Sequence, residues 1–572
     1  MLSRRAFIGS GLGALAAGLA ARRAFALPGM FPRGCPDTGA LPFGPAAPVL
    51  DLNPLPQSVM VDGLPFAPDW SGDPFPTLSQ IPFHSSETLY PGGDPPDATE
   101  TVDICIVGGG LSGLSSAYLL REHRPVILEL HDRFGGVAKG ERWRGTAFSM
   151  GGAYFMTPDP GTFLESFYRE LGLDRLYKLS KGIDPMEYEG SLINDVFHSP
   201  QVSREDRDAL NAYQEIVRYF AEHYPDIPLV AGRDNAWIID LDRRSFKDDV
   251  ETRMGRPATP LLASFIQSYF YSSFGAGWEA VSAAAGWNFV AAEEFGRWVL
   301  PGGNSGMTSA LYSRLMQMES NAPSCAGQLL RAGCRAVEVR METGGLAKVI
   351  YKDSAGNFRA LNARRVVMCC SKHIAKYILN VPLQSDLPRL AAMHEIETLA
   401  YVVVNVLLGA PAPRTFYDIF LLGDGHYPSS DEEAEKWSRV TDFVDGGYAR
   451  HGPHSKGVLT CYWPLAWPRG RAALAPDDSW HTFAQQTAPQ VRSYLNLLGV
   501  PHNSVEQIRM TRWGHAFPIA KTGLLARGVF DTLRAPMNDI IFFVDQDNWA
   551  LPAVETCLLE AAEWAPRIAQ GL

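Results

Sequence analysis

The chain has 572 residues, 46% hydrophobic and 20% charged, with a formal net charge of −11 and a sequence pI near 5.7. That length is enough for two globular domains. The acidic balance argues against a nucleic-acid partner, which needs a basic face; it would suit a cationic substrate such as an amine, although solubility is the simpler account of the charge. Of the eight cysteines, Cys105, Cys369 and Cys370 fall on predicted core strands and Cys557 on a predicted core helix, where a small hydrophobe is expected. Cys325 and Cys334 could pair across a short loop. There is no Cys-x-x-Cys-His and no zinc-type spacing, so neither attached c-type haem nor a metal is expected.

Residues 1–26 read as an export segment. Ser3-Arg4-Arg5-Ala6-Phe7-Ile8 matches a twin-arginine signal, a Gly/Ala-rich run follows from Phe7 to Ala21, and Ala24-Phe25-Ala26 supplies a cleavage site. The run is shorter than the ~20 residues needed to cross a bilayer, so a cleaved signal is expected over an anchor, and a soluble periplasmic or secreted protein. The twin-arginine translocase carries folded proteins, which suits an enzyme loaded with its cofactor before export. Residues 27–100 form a proline-rich arm, with 16 of the 42 prolines between Pro28 and Pro96. Proline lacks the N–H a ladder requires, and no strand or helix is expected here. Phe31, Phe43, Trp70, Phe75, Phe83 and Tyr90 are nevertheless too many aromatics for a disordered linker, so the arm is expected to wrap over the body.

The strongest motif follows. A β-branched run from Val102 enters Gly108, Gly110 and Gly113, then a helical pattern opens with Leu111 and Ser112 and continues through Leu114, Ala117 and Leu120. A second apolar run, Pro125 to Leu130, delivers Glu129, 21 residues after Gly108. This is the βαβ dinucleotide fingerprint. Gly108 makes the turn, Gly110 lets the backbone approach a pyrophosphate, and Gly113 lets helix and strand close. The helix N-terminus receives the anion, and Glu129 is placed to accept from a ribose.

After Glu129 come Leu130, His131, Asp132, Arg133, Phe134, Gly135 and Gly136. Arg at +4 and Gly-Gly at +6 and +7 resemble the extended FAD motif of the flavin-containing amine oxidase superfamily, and His131 to Lys139 looks more narrowly like bacterial spermidine dehydrogenases. The superfamily usually has Arg after the Gly pair; here it is Val137, and Lys139 or Arg142 could take its place. The resemblance implies a Rossmann-type α/β FAD-binding domain (α+β overall) interleaved with a mixed helix/sheet substrate domain. It assigns 101–160, 298–385 and 506–572 to the first and 161–297 and 386–505 to the second. It also places Gly151, Gly152, Val337, Asp547, Ala553 and Val554 around the cofactor, with Glu555 in the first turn of the closing helix. Pro301 to Met307 matches a glycine-rich return turn, and Leu361 to Cys370 a strand beneath the cofactor. Cys557 lies outside any attachment motif, so non-covalent FAD is expected.

Between these segments, apolar residues recur at helical spacing from Phe163 to Phe289, as in Leu164, Phe167, Tyr168 and Leu171. Tyr401 to Leu408 and Val458 to Trp463 read as strands. Asp431, Glu432, Glu433 and Glu435 read as a solvated helix start. Many amine oxidases of the superfamily carry a lysine on a substrate-domain strand. Leu399 to Leu408 has none, which favours a dehydrogenase that passes electrons to a periplasmic acceptor over an oxidase and weakens an amine assignment. Candidate catalytic residues are His515, in a Trp-Gly-His segment like that of spermidine dehydrogenases, and Tyr401. His515 could exchange a proton near neutrality or merely cap backbone beneath Trp513. Tyr271, Trp278, Trp287 and Phe289 could cage a cation with Glu279, though helix core is the plainer reading. The resemblance implies hydride transfer from a small-molecule amine or polyamine-like substrate to flavin N5. A desaturase or isomerase of an apolar substrate, or a non-catalytic FAD-containing subunit, remain the alternatives.

Overall fold

The computed structural model describes residues 46–74, 95–320, 328–412, 416–450 and 455–572. The twin-arginine segment, Cys325 and most of the arm's aromatics lie outside these.

Strand Glu100–Val107 centres a seven-stranded sheet, with Val126–Leu128 parallel on one side and Phe358–Met368 parallel on the other. Ile541–Phe543 adds in parallel to Phe358–Met368, and an antiparallel meander (Arg335–Glu342, Leu346–Lys352) completes that edge. Strands buried on both faces read as continuous apolar runs. Ile104, Ile106, Val367 and Phe542 pack under helices Leu111–Leu119, Ser305–Ser320 and Val554–Ala569, while Cys105, Val107, Val366, Ile541 and Phe543 face the larger core. This is the expected α/β class with a Rossmann-like unit.

A second, ten-stranded sheet carries the other wall. Its central order is Asp418–Gly423, Asp442–Asp445, Gly457–Leu465, Thr398–Leu408, Val505–Pro518, all antiparallel. Period-2 alternation sorts its residues. Val402, Val404, Val406, Ile419, Phe443, Leu459, Cys461, Ile508 and Met510 pack under helix Ser479–Leu497. The opposite face presents Asp418, Phe420, Asp442, Val444, Tyr462, Val403, Tyr401 and Trp513 to a cavity.

Three expectations need revision. Val505–Pro518 was placed by resemblance with the dinucleotide unit, but it ladders along Thr398–Leu408 in the second sheet. The stretch 163–289 is not purely helical: Lys178–Ser180, Met186–Tyr188 and Ser191–Ile193 interrupt it. The arm does form strands. Val49–Asp51 pairs with Gly140–Trp143, and Val59–Val61, Leu64–Phe66 and Ser71–Gly72 extend the second sheet beside Val505–Pro518. These strands have only two or three residues each, so that Pro65, in the strand between Val59–Val61 and Val505–Pro518, costs few ladder bonds. Among the described residues, no helix is long and apolar enough to cross a membrane.

Candidate functional site

The two sheets enclose one continuous cavity of about 960 Å³. Its dinucleotide side is built from the motif. Gly108 turns at φ +110, and a Cβ there would lie 2.6 Å from the Cys369 carbonyl oxygen. Gly113 closes helix on strand, since a Cβ would fall 1.8 Å from the Gly108 oxygen; it packs behind the cavity rather than lining it. Gly110, Leu111, Ser112, Leu130, Gly135, Gly136, Gly151, Gly152, Asp547, Ala553 and Val554 all line the wall. Helices Leu111–Leu119 and Val554–Ala569 both begin here, bringing unpaired N–H groups toward an anion. Glu129, 4% exposed, accepts from the Gly109 N–H (2.7 Å) and the His131 N–H (2.8 Å). Burial raises its pKa against the opposing pull of Lys139.

Asp547 accepts from the Ser371 hydroxyl and the Lys372 N–H, both at 2.8 Å. Glu555 accepts from the Met156 N–H at 2.7 Å. On the same wall, Asn304 Oδ1 and Thr556 Oγ1 are buried without a protein partner. Such atoms demand a ligand's polar groups, and with the glycine cradle they fit FAD.

Several expected contacts go elsewhere. Arg133 donates to the Pro48 and Gly140 carbonyls (3.4 and 3.2 Å), tying the arm to the body. Lys139 is buried beside Glu129, its pKa lowered to about 8 by burial, and Arg142 pairs with Asp51 at 2.5 Å. None of the three lines the cavity, and Val137 itself does. Val337 packs with Ile350 and Ala360 on the far face of its strand, leaving Arg335 and Ala336 on the wall. Glu279 is occupied by Gln267 (3.0 Å) and the Trp278 indole (2.9 Å) and stays outside the cavity. Trp287 stacks on Phe220 in core, while Phe289 reaches the wall.

On the facing side, Trp513 donates to the Met150 carbonyl (2.7 Å) and the Tyr462 hydroxyl to that of Gly151 (2.9 Å), so the two units lock at the cavity. The Tyr401 hydroxyl donates to the Ser272 carbonyl at 3.1 Å, and its ring meets Tyr462 and Phe517. His515 also lines this wall. Its Nε2 accepts from Arg471 at 2.7 Å, which leaves Nδ1 to donate to the Thr398 hydroxyl at 2.6 Å. His373 lies against it, ring centroids 3.7 Å apart, and shares Arg471. Burial, then His373 and Arg471, lower the His515 pKa from 6.5 to about 2. The imidazole therefore favours its neutral form, which of the two roles open to His515 suits local capping better than proton exchange near pH 7. His515→Asn should leave the shape of the kcat/KM pH profile between pH 6 and 9 unchanged; a profile that loses a limb would restore the acid–base role.

The acids of this wall carry no signal in the sequence. Asp418 and Asp442 stand on the inward face among apolar neighbours, and an isolated acid within a short strand reads as solvent-facing. Burial raises the Asp418 pKa well above its usual range and brings Asp442 to about 7.

A model of the NAD(P)-binding Rossmann-like domain matches residues 106–171. An oxidoreductase, PigB, of Serratia sp. (strain ATCC 39006) is 22% identical over 86% of this chain and 78% of its own. A flavin-containing amine oxidase of Oncorhynchus mykiss is 45% identical over 60 residues, 10% of this chain and 12% of its own. A putrescine oxidase solved with putrescine bound shares the fold, with TM-score 0.58 and 17% identity over 82% of this chain and 98% of its own.

Proposed function

We propose that the chain is an FAD-dependent oxidoreductase of the flavin-containing amine oxidase superfamily and, more narrowly, an exported dehydrogenase of amines or polyamine-like molecules. The observation that carries the reading is the single cavity, which has the dinucleotide motif on one side and an aromatic, carboxylate-bearing sheet face on the other. When bound, non-covalent FAD supplies the hydride acceptor. The chain does the rest. Gly110, Gly136 and the two helix N-termini would hold the cofactor's phosphates, and Glu129 would accept from its ribose. Tyr401, Tyr462, Trp513 and Phe517 exclude water from the reacting carbon. Their desolvation favours the neutral amine, the form that can release a hydride. Arg471 and Thr398 fix His515 in one tautomer, so it orients rather than titrates.

Strand Thr398–Leu408 bears no lysine, which supports electron transfer to a carrier over oxygen. Steady-state assays with primary amines, diamines and polyamines test this reading: artificial dyes should be reduced faster than oxygen. Turnover restricted to unsaturated apolar substrates would overturn it.

Export rests on Arg4 and Arg5. The Arg4→Lys, Arg5→Lys double variant should accumulate in the cytoplasm as active, FAD-loaded enzyme, because a folded protein has lost only its address. Unchanged periplasmic recovery would refute the twin-arginine route.

A further inference from the structure

Along and behind one wall of the cavity, four acids gather around a single buried arginine. Arg297, 3% exposed, contacts Asp184 at 2.6 Å, Glu293 at 3.5 Å and Asp418 at 3.8 Å. Its guanidinium lies over the Tyr154 and Tyr417 rings. Glu293 also accepts from the Tyr154 and Tyr269 hydroxyls. Asp184 and Glu293 are thereby satisfied. Asp442 has the Thr441 hydroxyl at 2.7 Å. Asp418 has only the long contact to Arg297, and its Oδ1 is buried with no hydrogen-bond partner. Both aspartates are 2% exposed and both line the cavity.

Sheet register fixes how the two stand. Asp442 lies opposite Phe420 on one side and Tyr462 on the other, and Asp418 is two residues from Phe420 on the same strand. They are thus diagonal neighbours on one face. At about 4.8 Å per strand, Asp442 lies two strands across from Val403, and so roughly 12 Å from Tyr401, two residues further along that strand. Two buried carboxyls without a full counter-charge either keep their protons or ionise against a cation that joins them. Phe420, Tyr462 and Tyr401 line the path between, apolar enough for a methylene chain and with ring faces toward a cation.

We propose that Asp418 and Asp442 form a cation subsite that grips a second, non-reacting ammonium of the substrate. The substrate class is then a diamine or polyamine rather than a simple amine. This rests on the amine reading of the same cavity but is tested by binding alone. The FAD-loaded protein is titrated with 1,4-diaminobutane, 1,5-diaminopentane and spermidine, and with butylamine and pentylamine as single-charge partners, following the flavin absorbance. Wild type should bind the multiply charged probes roughly 10–100-fold more tightly than the monoamines, the range of a charged hydrogen bond. Asp418→Asn and Asp442→Asn should each shrink that gap while retaining FAD and monoamine affinity. Glu279→Gln, outside the cavity, should keep it. Equal affinity of wild type for diamines and monoamines would overturn the subsite, as would an undiminished gap in both Asn variants. Preferential diamine binding without flavin reduction would leave the subsite standing and sink amine oxidation instead.

Discussion

Gly110→Val should yield a folded, colourless protein. Gly110 sits at φ −76, which valine adopts, and a Cβ there meets nothing nearer than the Gly136 Cα at 3.6 Å. A Cβ is therefore accommodated in ordinary contact, and a valine side chain would occupy the space before the N-terminus of Leu111–Leu119, where the phosphates must approach. Far-UV circular dichroism should match the apoprotein, and added FAD should not restore flavin absorbance. Gly113→Ala is the contrasting variant: its Cβ would overlap the Gly108 oxygen, so it should damage the fold itself. A yellow Gly110→Val protein with full flavin occupancy would show that the phosphates lie elsewhere.

Arg297→Met should be strongly destabilising. It leaves Asp184, Glu293 and Asp418 buried without their cation, a loss of roughly 3–5 kcal/mol. The pH dependence has a definite sign. Asp184 and Asp418 have pKa values raised first by burial, and Asp442 is raised to about 7. A raised carboxyl pKa means the folded state holds the proton more tightly, so that stability is present below the ordinary value near 4 and is lost as pH rises through 7. Removing Arg297 pushes these groups further the same way. The deficit in the urea midpoint should be larger at pH 8 than at pH 5, and a pH-independent deficit would mean that Arg297 acts through packing alone.

The parts of this molecule written locally were legible in its sequence. Gly108, Gly110, Gly113 and Glu129 sit within one βαβ unit, where turn, helix start and strand end are set by neighbours along the chain. The second sheet was not legible in the same way. Period 2 in Leu399 to Leu408 separates two faces, but only the partners Gly457–Leu465 and Val505–Pro518 decide which faces the cavity. Arg133 illustrates the opposite error. Its motif position is that of a cofactor contact, yet the arm's Pro48 carbonyl is present to accept from it. Asp73 makes the same point, since its carboxylate accepts from the Gly514 N–H at 2.8 Å, beside His515, from a segment that carried no pattern. His515 was found by position, but its charge was not legible, because the lowering comes first from burial and then from His373 and Arg471, residues far from it in sequence.

Single-turnover reduction of the bound flavin is the most direct measurement. The yellow holoprotein is mixed without oxygen with 1,4-diaminobutane or spermidine, and the flavin band is followed in time. The account predicts complete bleaching that saturates with amine concentration, followed by slow recovery in air and fast recovery with a dye. Flavin that stays oxidised with every amine, yet bleaches with an uncharged apolar substrate, would contradict it.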